Sequence, residues 1–212
     1  MKTKRALYPT QLESKKMATM AFDGPWLALV GQPERSGSWL IWGNSGNGKT
    51  SFALQLAGYL TRFGRVAYNS LEEGISESLK RSVKINGLVG IKNLILLDKE
   101  PLDELMERLE RPKSPAIVII DSIQYTGLNY RDYKNLRDSF RNKLFVFVSH
   151  AEGREPAGRT ARSIRYDANV KIYIEGYVAY AVSRYGGGKP YVIWEQGADN
   201  YQSIALQKNK TL

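Results

Sequence analysis

The stretch GNSGNGKTS, residues 43–51, constrains this chain more than any other. It follows the apolar run WLIW and precedes a segment, 49–63, in which Phe52, Ala53, Leu56, Ala57, Tyr59, Leu60 and Phe63 recur at helical spacing. A glycine cluster between an apolar strand and an apolar helix needs a physical reason. Gly43, Gly48, Lys49 and Thr50 fit G-x-x-x-x-G-K-[ST], in the strand–turn–helix setting that this pattern requires. Glycines let backbone N–H groups turn inward around phosphate oxygens. The first turn of the following helix adds unpaired donors and the positive end of its dipole. The alternative, a glycine-rich turn with a chance lysine, leaves the whole pattern unexplained.

The loop formed by Gly43, Asn44, Ser45, Gly46, Asn47, Gly48, Lys49, Thr50 and Ser51 is therefore expected to cradle ATP. Lys49 would reach the β- and γ-phosphates, and the Thr50 hydroxyl would ligate Mg²⁺. Such a loop needs a second acid, at the end of a buried strand, to hold Mg²⁺ through water. AIVIID, 116–121, ends on Asp121 and meets that need. Hydrolysis also needs a group that polarises the attacking water. Glu72 and Glu73, in SLEEG, are the candidates, although an acidic pair also suits the first turn of a helix.

The rest of the chain alternates in the same manner. Strands are expected at 38–43, 65–70, 93–98, 116–121 and 144–149, and helices at 49–63, 75–86, 101–110 and 131–141. The continuous apolar runs AIVIID and LFVFVS fit strands covered on both faces. The fold class that follows is α/β, a P-loop fold with a mostly parallel twisted sheet and helices on both faces. After 150 the pattern changes to strands at 170–175, 178–185 and 190–195, an antiparallel C-terminal meander. The domain reading is a basic N-terminal arm over 1–35, an ATPase core over 36–200 and a tail over 201–212.

Composition sets the outer limits. With 42% hydrophobic and 25% charged residues, 212 residues suffice for one domain with a core. No apolar run approaches the ~18–20 residues that span a bilayer, so no membrane partner is expected. The N-terminus lacks the apolar stretch of a secretory signal, and there is no cysteine for a disulfide or thiolate zinc site. A cytoplasmic location is the expectation. The net charge of +10, from 31 basic against 21 acidic residues, favours polyanions.

The order of motifs resembles the RecA-like ATPase core, over about residues 36–195. Within that group the chain is most similar to the RadA/Sms recombination ATPases, and next to the DnaB-type replicative helicases. YNSLEEG (68–74), IDSIQ (120–124), VFVSH (146–150), YDANV (166–170) and SRYGG (183–187) carry the likeness. The resemblance puts the water-activating glutamate on Glu72. It puts His150, the only histidine, where the family links the γ-phosphate to a DNA-binding loop. It makes Arg184 a finger reaching a neighbouring subunit's ATP, while the family's preceding lysine falls on Val182. The zinc element and C-terminal domain of RadA and the N-terminal helical domain of DnaB have no counterpart here.

In such assemblies DNA runs through a channel lined by two loops. The second falls on 151–167, with Arg154, Arg159, Arg162 and Arg165, and its glycines and proline argue against a docked helix through most of it. Arginines among flexible residues suit backbone phosphates, bound without reading sequence. The first loop falls on 125–134, where Tyr125, Tyr130 and Tyr133 suit base stacking or a core edge equally well. The resemblance thus implies an ATP-hydrolysing DNA-binding ATPase of recombination, repair or replication. Its partners would be single-stranded or branched DNA and further copies of itself in a ring or filament. A helicase motor or loader uses the same residues. An ATP-gated regulatory interaction module without DNA activity is the alternative of another class. A small-molecule kinase would want a lid and an acceptor pocket, which the meander does not offer.

Overall fold

The computed structural model describes residues 6–209. Two short helices, α1 (Pro9–Glu13) and α2 (Gly24–Val30), lead into β1 (Gly37–Gly43) and α3 (Lys49–Leu60). There follow β2 (Val66–Ser70), α4 (Glu77–Ile85), β3 (Leu94–Asp98), α5 (Leu102–Glu110) and β4 (Ile117–Asp121). A single 3₁₀ turn (Ile123–Tyr125) precedes α6 (Tyr130–Ser139) and β5 (Leu144–Glu152). The chain closes with β6 (Glu155–Pro156), α7 (Arg159–Asp167), β7 (Val170–Glu175), β8 (Val178–Ser183), β9 (Tyr191–Val192) and α8 (Glu195–Asn209).

The strands form one sheet in the order β3-β2-β4-β5-β1-β7-β8-β9, with β6 paired to the end of β5. From β3 to β7 all neighbours run parallel; β8 and β9 are antiparallel additions at one edge. Every residue of β2 and β4 is buried, as the continuous apolar runs demand of central parallel strands. Two apolar cores lie on the two faces. Trp39, Ile41, Phe52, Leu56, Tyr68 and Ile119 belong to one, and Leu40, Trp42, Val118, Ile120, Leu136 and Phe147 to the other. Alternation along β1 and β4 thus feeds both layers, with period two. The α/β fold with an antiparallel C-terminal edge is the one expected from the sequence.

Three boundaries differ. The stretch read as an N-terminal arm is not all arm. Met20, Phe22, Trp26, Leu29 and Val30 are buried in the core, and Trp26 stacks on Tyr59 and Tyr191. Apolar side chains there outweigh the basic composition of 1–16, of which Lys2, Lys4 and Arg5 lie outside the described residues. The strand expected at 190–195 is only two residues long. Ile193 turns inward to a buried position, donates its N–H to the Tyr177 carbonyl (2.8 Å), and Glu195 opens a helix. That helix crosses the expected tail boundary at 200, so 201–209 continue an element of the core; 210–212 lie outside the described residues. Among the described residues no helix is long and apolar enough to cross a membrane.

Candidate functional site

Parallel strands deliver their carboxyl ends to one edge, and the site is assembled there. β1 ends on Gly43, whose Cα lies so close to β7 that an added Cβ would meet the Ile174 carbonyl oxygen at 2.3 Å. The chain then loops to α3 through Gly48, held at φ 95° against the Tyr177 ring. Only glycine adopts that backbone without strain. Asn47 ties the loop down: its Oδ1 accepts the Gly176 N–H (2.6 Å) and its carbonyl accepts the Tyr177 N–H (3.2 Å). Its amide also donates to the carbonyls of Asn44 (3.3 Å) and Ser45 (3.2 Å). Lys49 folds back onto the Asn44 carbonyl at 3.1 Å.

A cleft of about 360 Å³ opens beside this loop, lined by Gly46, Lys49, Thr50, Glu72, Asp121 and Tyr177 among others, with Ser45, Gly48 and Ser51 also on its wall. Asp121 stands at the end of β4, directly opposite Ser70 of β2, and is 7% exposed. Burial pushes its carboxyl up to about 6, against the pull of the Tyr68 hydroxyl that donates to it; the Glu72 charge adds to the rise and Lys49 opposes it. Burial likewise lowers Lys49, with Asp121 and Glu72 acting to restore it. Asp121 and Lys49, both partly withdrawn from water, thus share one cleft with the more exposed Glu72.

Glu72 and Glu73 separate cleanly. The Glu73 carboxylate accepts from the Ser76 hydroxyl (3.0 Å), the residue that caps α4 through the Leu79 N–H. Glu72 instead points to His150, with Oε2 3.0 Å from Nε2, and accepts from Ser122 Oγ at 3.4 Å. Its own N–H and that of Leu71 donate to the Asp121 carbonyl, so β4 fixes where the glutamate starts. His150 in turn donates its backbone N–H to Gln124 Oε1 (3.3 Å). Gln124 Nε2 donates to Ser149 Oγ (2.8 Å) and to the Ala157 carbonyl (3.2 Å), one residue before Gly158, the cap of α7. A continuous polar relay therefore joins Glu72 to the segment that bears the arginines.

That segment differs from its expected form. Residues 159–167 form a docked helix, because Ala161, Ile164 and the adjoining Ala168 fall on one face and are buried. Three of the four arginines already have acids. Arg162 pairs with Glu152, Arg165 with Glu155, and Arg154 with Glu175 at 3.6 Å. Arg165 also covers the Trp42 ring (5.3 Å) and Arg154 the Tyr173 ring (5.8 Å). Among the described residues Arg159 makes no ion pair. Of the tyrosines in 125–134, Tyr133 is buried in the core on Ser38, while Tyr125 and Tyr130 are exposed.

Arg184 is exposed and stands apart from the cleft. β8 runs down from the cleft edge, so its far end lies about 20 Å away at ~3.3 Å per residue. It does not line its own chain's cleft. Sequence reasoning missed Tyr68, Gln124, Ser122 and Tyr177. Gln124 stood inside IDSIQ, and a tyrosine within a fully buried strand is itself a signal, since its hydroxyl needs a partner.

No family model matches the chain. Among curated proteins it is similar to the probable mitochondrial chaperone bcs1 of Schizosaccharomyces pombe, 29% identical over 223 residues. The match takes in all of this chain and 45% of that protein, so the chain spans a little under half of the relative's length. Among solved structures it is similar to the flagellar accessory protein FlaH of Methanocaldococcus jannaschii, with a TM-score of 0.57 and 17% identity. That superposition covers 84% of this chain and 97% of the other. The fold is a RecA-like P-loop NTPase fold.

The residues present fit a magnesium nucleotide. The glycine cradle is open at Gly46, where an added Cβ would meet nothing within 4 Å, and Lys49, Thr50 and Asp121 share one cleft. Among the described residues no group of three or more His, Cys, Asp or Glu gathers to hold a metal unaided.

Proposed function

We propose that this chain hydrolyses ATP with Mg²⁺ and couples the hydrolysis to DNA, in recombination, repair or replication, as a ring or filament with ATP between subunits. The observation that carries the coupling is the relay from Glu72 through His150 and Gln124 to the Ala157 carbonyl at the head of the arginine helix. The P-loop holds the phosphates by its N–H groups, and Lys49 leaves Asn44 to meet them. Thr50 and Asp121 would hold Mg²⁺, which would supply positive charge against the phosphates. Glu72 takes the proton of the attacking water and is oriented by His150. Arg184 serves a neighbour's site, which suits its exposed position far from its own cleft.

On the DNA side, the ion pairs of Arg154 and Arg162 are largely exposed and that of Arg165 partly so, and such pairs hold only about 0–1 kcal/mol. Phosphates can therefore displace the carboxylates and gain counterion release. A helicase motor or loader rests on the same residues and is separated by directional unwinding of a forked duplex. One observation favours the ATP-gated interaction module instead: Glu152, Glu155 and Glu175 already neutralise three of the arginines. The test is DNA binding by fluorescence anisotropy, with and without ATP and Mg²⁺, for the native chain and for Glu72→Gln. Binding that strengthens with ATP and persists in Glu72→Gln supports the coupling. ATP binding with no DNA affinity at low salt moves the assignment to the interaction module.

A further inference from the structure

Tyr68 lies in the middle of β2 with none of its surface exposed. The register places Ser70 opposite Asp121, which makes Tyr68 the diagonal neighbour two residues back along the strand. Diagonal Cα positions are roughly 7–8 Å apart, within reach of an aromatic side chain but not of a short one. Its hydroxyl donates to Asp121 Oδ2. The other Asp121 oxygen makes no side-chain hydrogen bond among the described residues, and the residue lines the cleft beside Thr50. Asn69 and Ser70 follow on the same strand, with Ser70 directly opposite Asp121, but among the described residues the side chain that hydrogen-bonds the Asp121 carboxylate is Tyr68.

We infer that Tyr68 is a positioning residue for the cation. It commits one oxygen of Asp121 and turns the other toward the place where Mg²⁺ is held with the phosphates. This rests on the P-loop reading above. A phenylalanine at 68 fills the same volume and lacks only the donor. A carboxylate freed in that way rotates, or tilts toward the nearby Lys49, and the cation loses its fixed partner. Outer-shell partners of this kind typically set metal affinity by about 10–100-fold. The purely structural alternative is that Asp121 merely satisfies a buried hydroxyl. In that case loss of the hydroxyl changes folding and leaves the cation requirement alone.

The experiment titrates Mg²⁺ against binding of a fluorescent ATP analogue, for the native chain, Tyr68→Phe, Asp121→Asn and the double variant. A parallel series contains EDTA. The expected result is an Mg²⁺ midpoint raised about 10-fold or more in Tyr68→Phe, with binding in EDTA unchanged. In the double variant the midpoint should equal that of Asp121→Asn alone, because Tyr68 acts through Asp121. An unchanged midpoint in Tyr68→Phe overturns the inference. So does an equal loss with and without EDTA, which would mark a distorted cleft. If the native chain binds nucleotide without any Mg²⁺ dependence, the P-loop reading itself fails. Should Tyr68→Phe not fold, the Asp121→Asn and native chains are compared by the absorbance of Tyr68-derived 3-fluorotyrosine. A shift on Mg²⁺–nucleotide binding in the native chain alone sustains the inference, and no shift overturns it.

Discussion

Asp121→Asn is expected to stabilise the fold while removing its cation chemistry. The carboxyl sits at 7% exposure and is pushed from 3.8 to about 6, chiefly by burial. A rise of about two units corresponds to about 3 kcal/mol at pH 7. The sign follows from proton binding. The folded chain holds a proton on Asp121 more tightly than the unfolded chain, so this group destabilises the fold at pH 7. That cost shrinks as pH falls through about 6 and vanishes below 3.8. Asparagine carries no charge, and its carbonyl still accepts from Tyr68. Its advantage should be about 3 kcal/mol at pH 7 and roughly half that at pH 5. For a domain of this size that is on the order of 6–10 °C in Tm at pH 7. The assay is thermal and urea unfolding of both chains at the two pH values, without nucleotide or Mg²⁺. A less stable Asp121→Asn at pH 7, or an equal gap at both pH values, refutes the reasoning.

Further outcomes follow from other positions. Trp26→Ala should cost about 3–5 kcal/mol in urea unfolding, because the ring is buried between Tyr59 and Tyr191; a surface arm would lose almost nothing. Gly48→Ala should abolish nucleotide binding in a fluorescent-analogue titration, since its Cβ meets Tyr177 at 2.9 Å and the backbone sits at φ 95°. Gln124→Ala should leave ATP affinity near the native value in the same titration and weaken the dependence of DNA affinity on ATP, because it severs the relay beyond His150.

The P-loop, the parallel sheet and the placement of Asp121 and Glu72 at one edge were legible because each rests on a local pattern. A glycine-rich motif and a five-residue apolar run specify their own surroundings. Other features depended on which residues meet across the sheet. The Glu72–Glu73 ambiguity is resolved by Ser76 on one side and His150 on the other, 78 positions away for the latter. The loop arginines looked free because their pairing with Glu152, Glu155 and Glu175 depends on how the end of β5, β6 and β7 meet the arginine segment, which no local pattern announces. Ala161 and Ile164 gave a weak helical face that packing against the sheet made decisive. The arm reading of 1–35 gave too much weight to basic residues near the start and too little to Met20, Phe22 and Trp26.

The central claim is that one P-loop site drives an arginine-bearing DNA element. Its most direct test is ATP hydrolysis with and without single-stranded DNA, at low and moderate salt, with Lys49→Ala as background. The account expects Lys49-dependent hydrolysis that DNA stimulates strongly, with the stimulation fading as salt rises and lost when Arg154, Arg159, Arg162 and Arg165 are all replaced by alanine. Lys49-dependent hydrolysis that is indifferent to DNA at every salt concentration would contradict it.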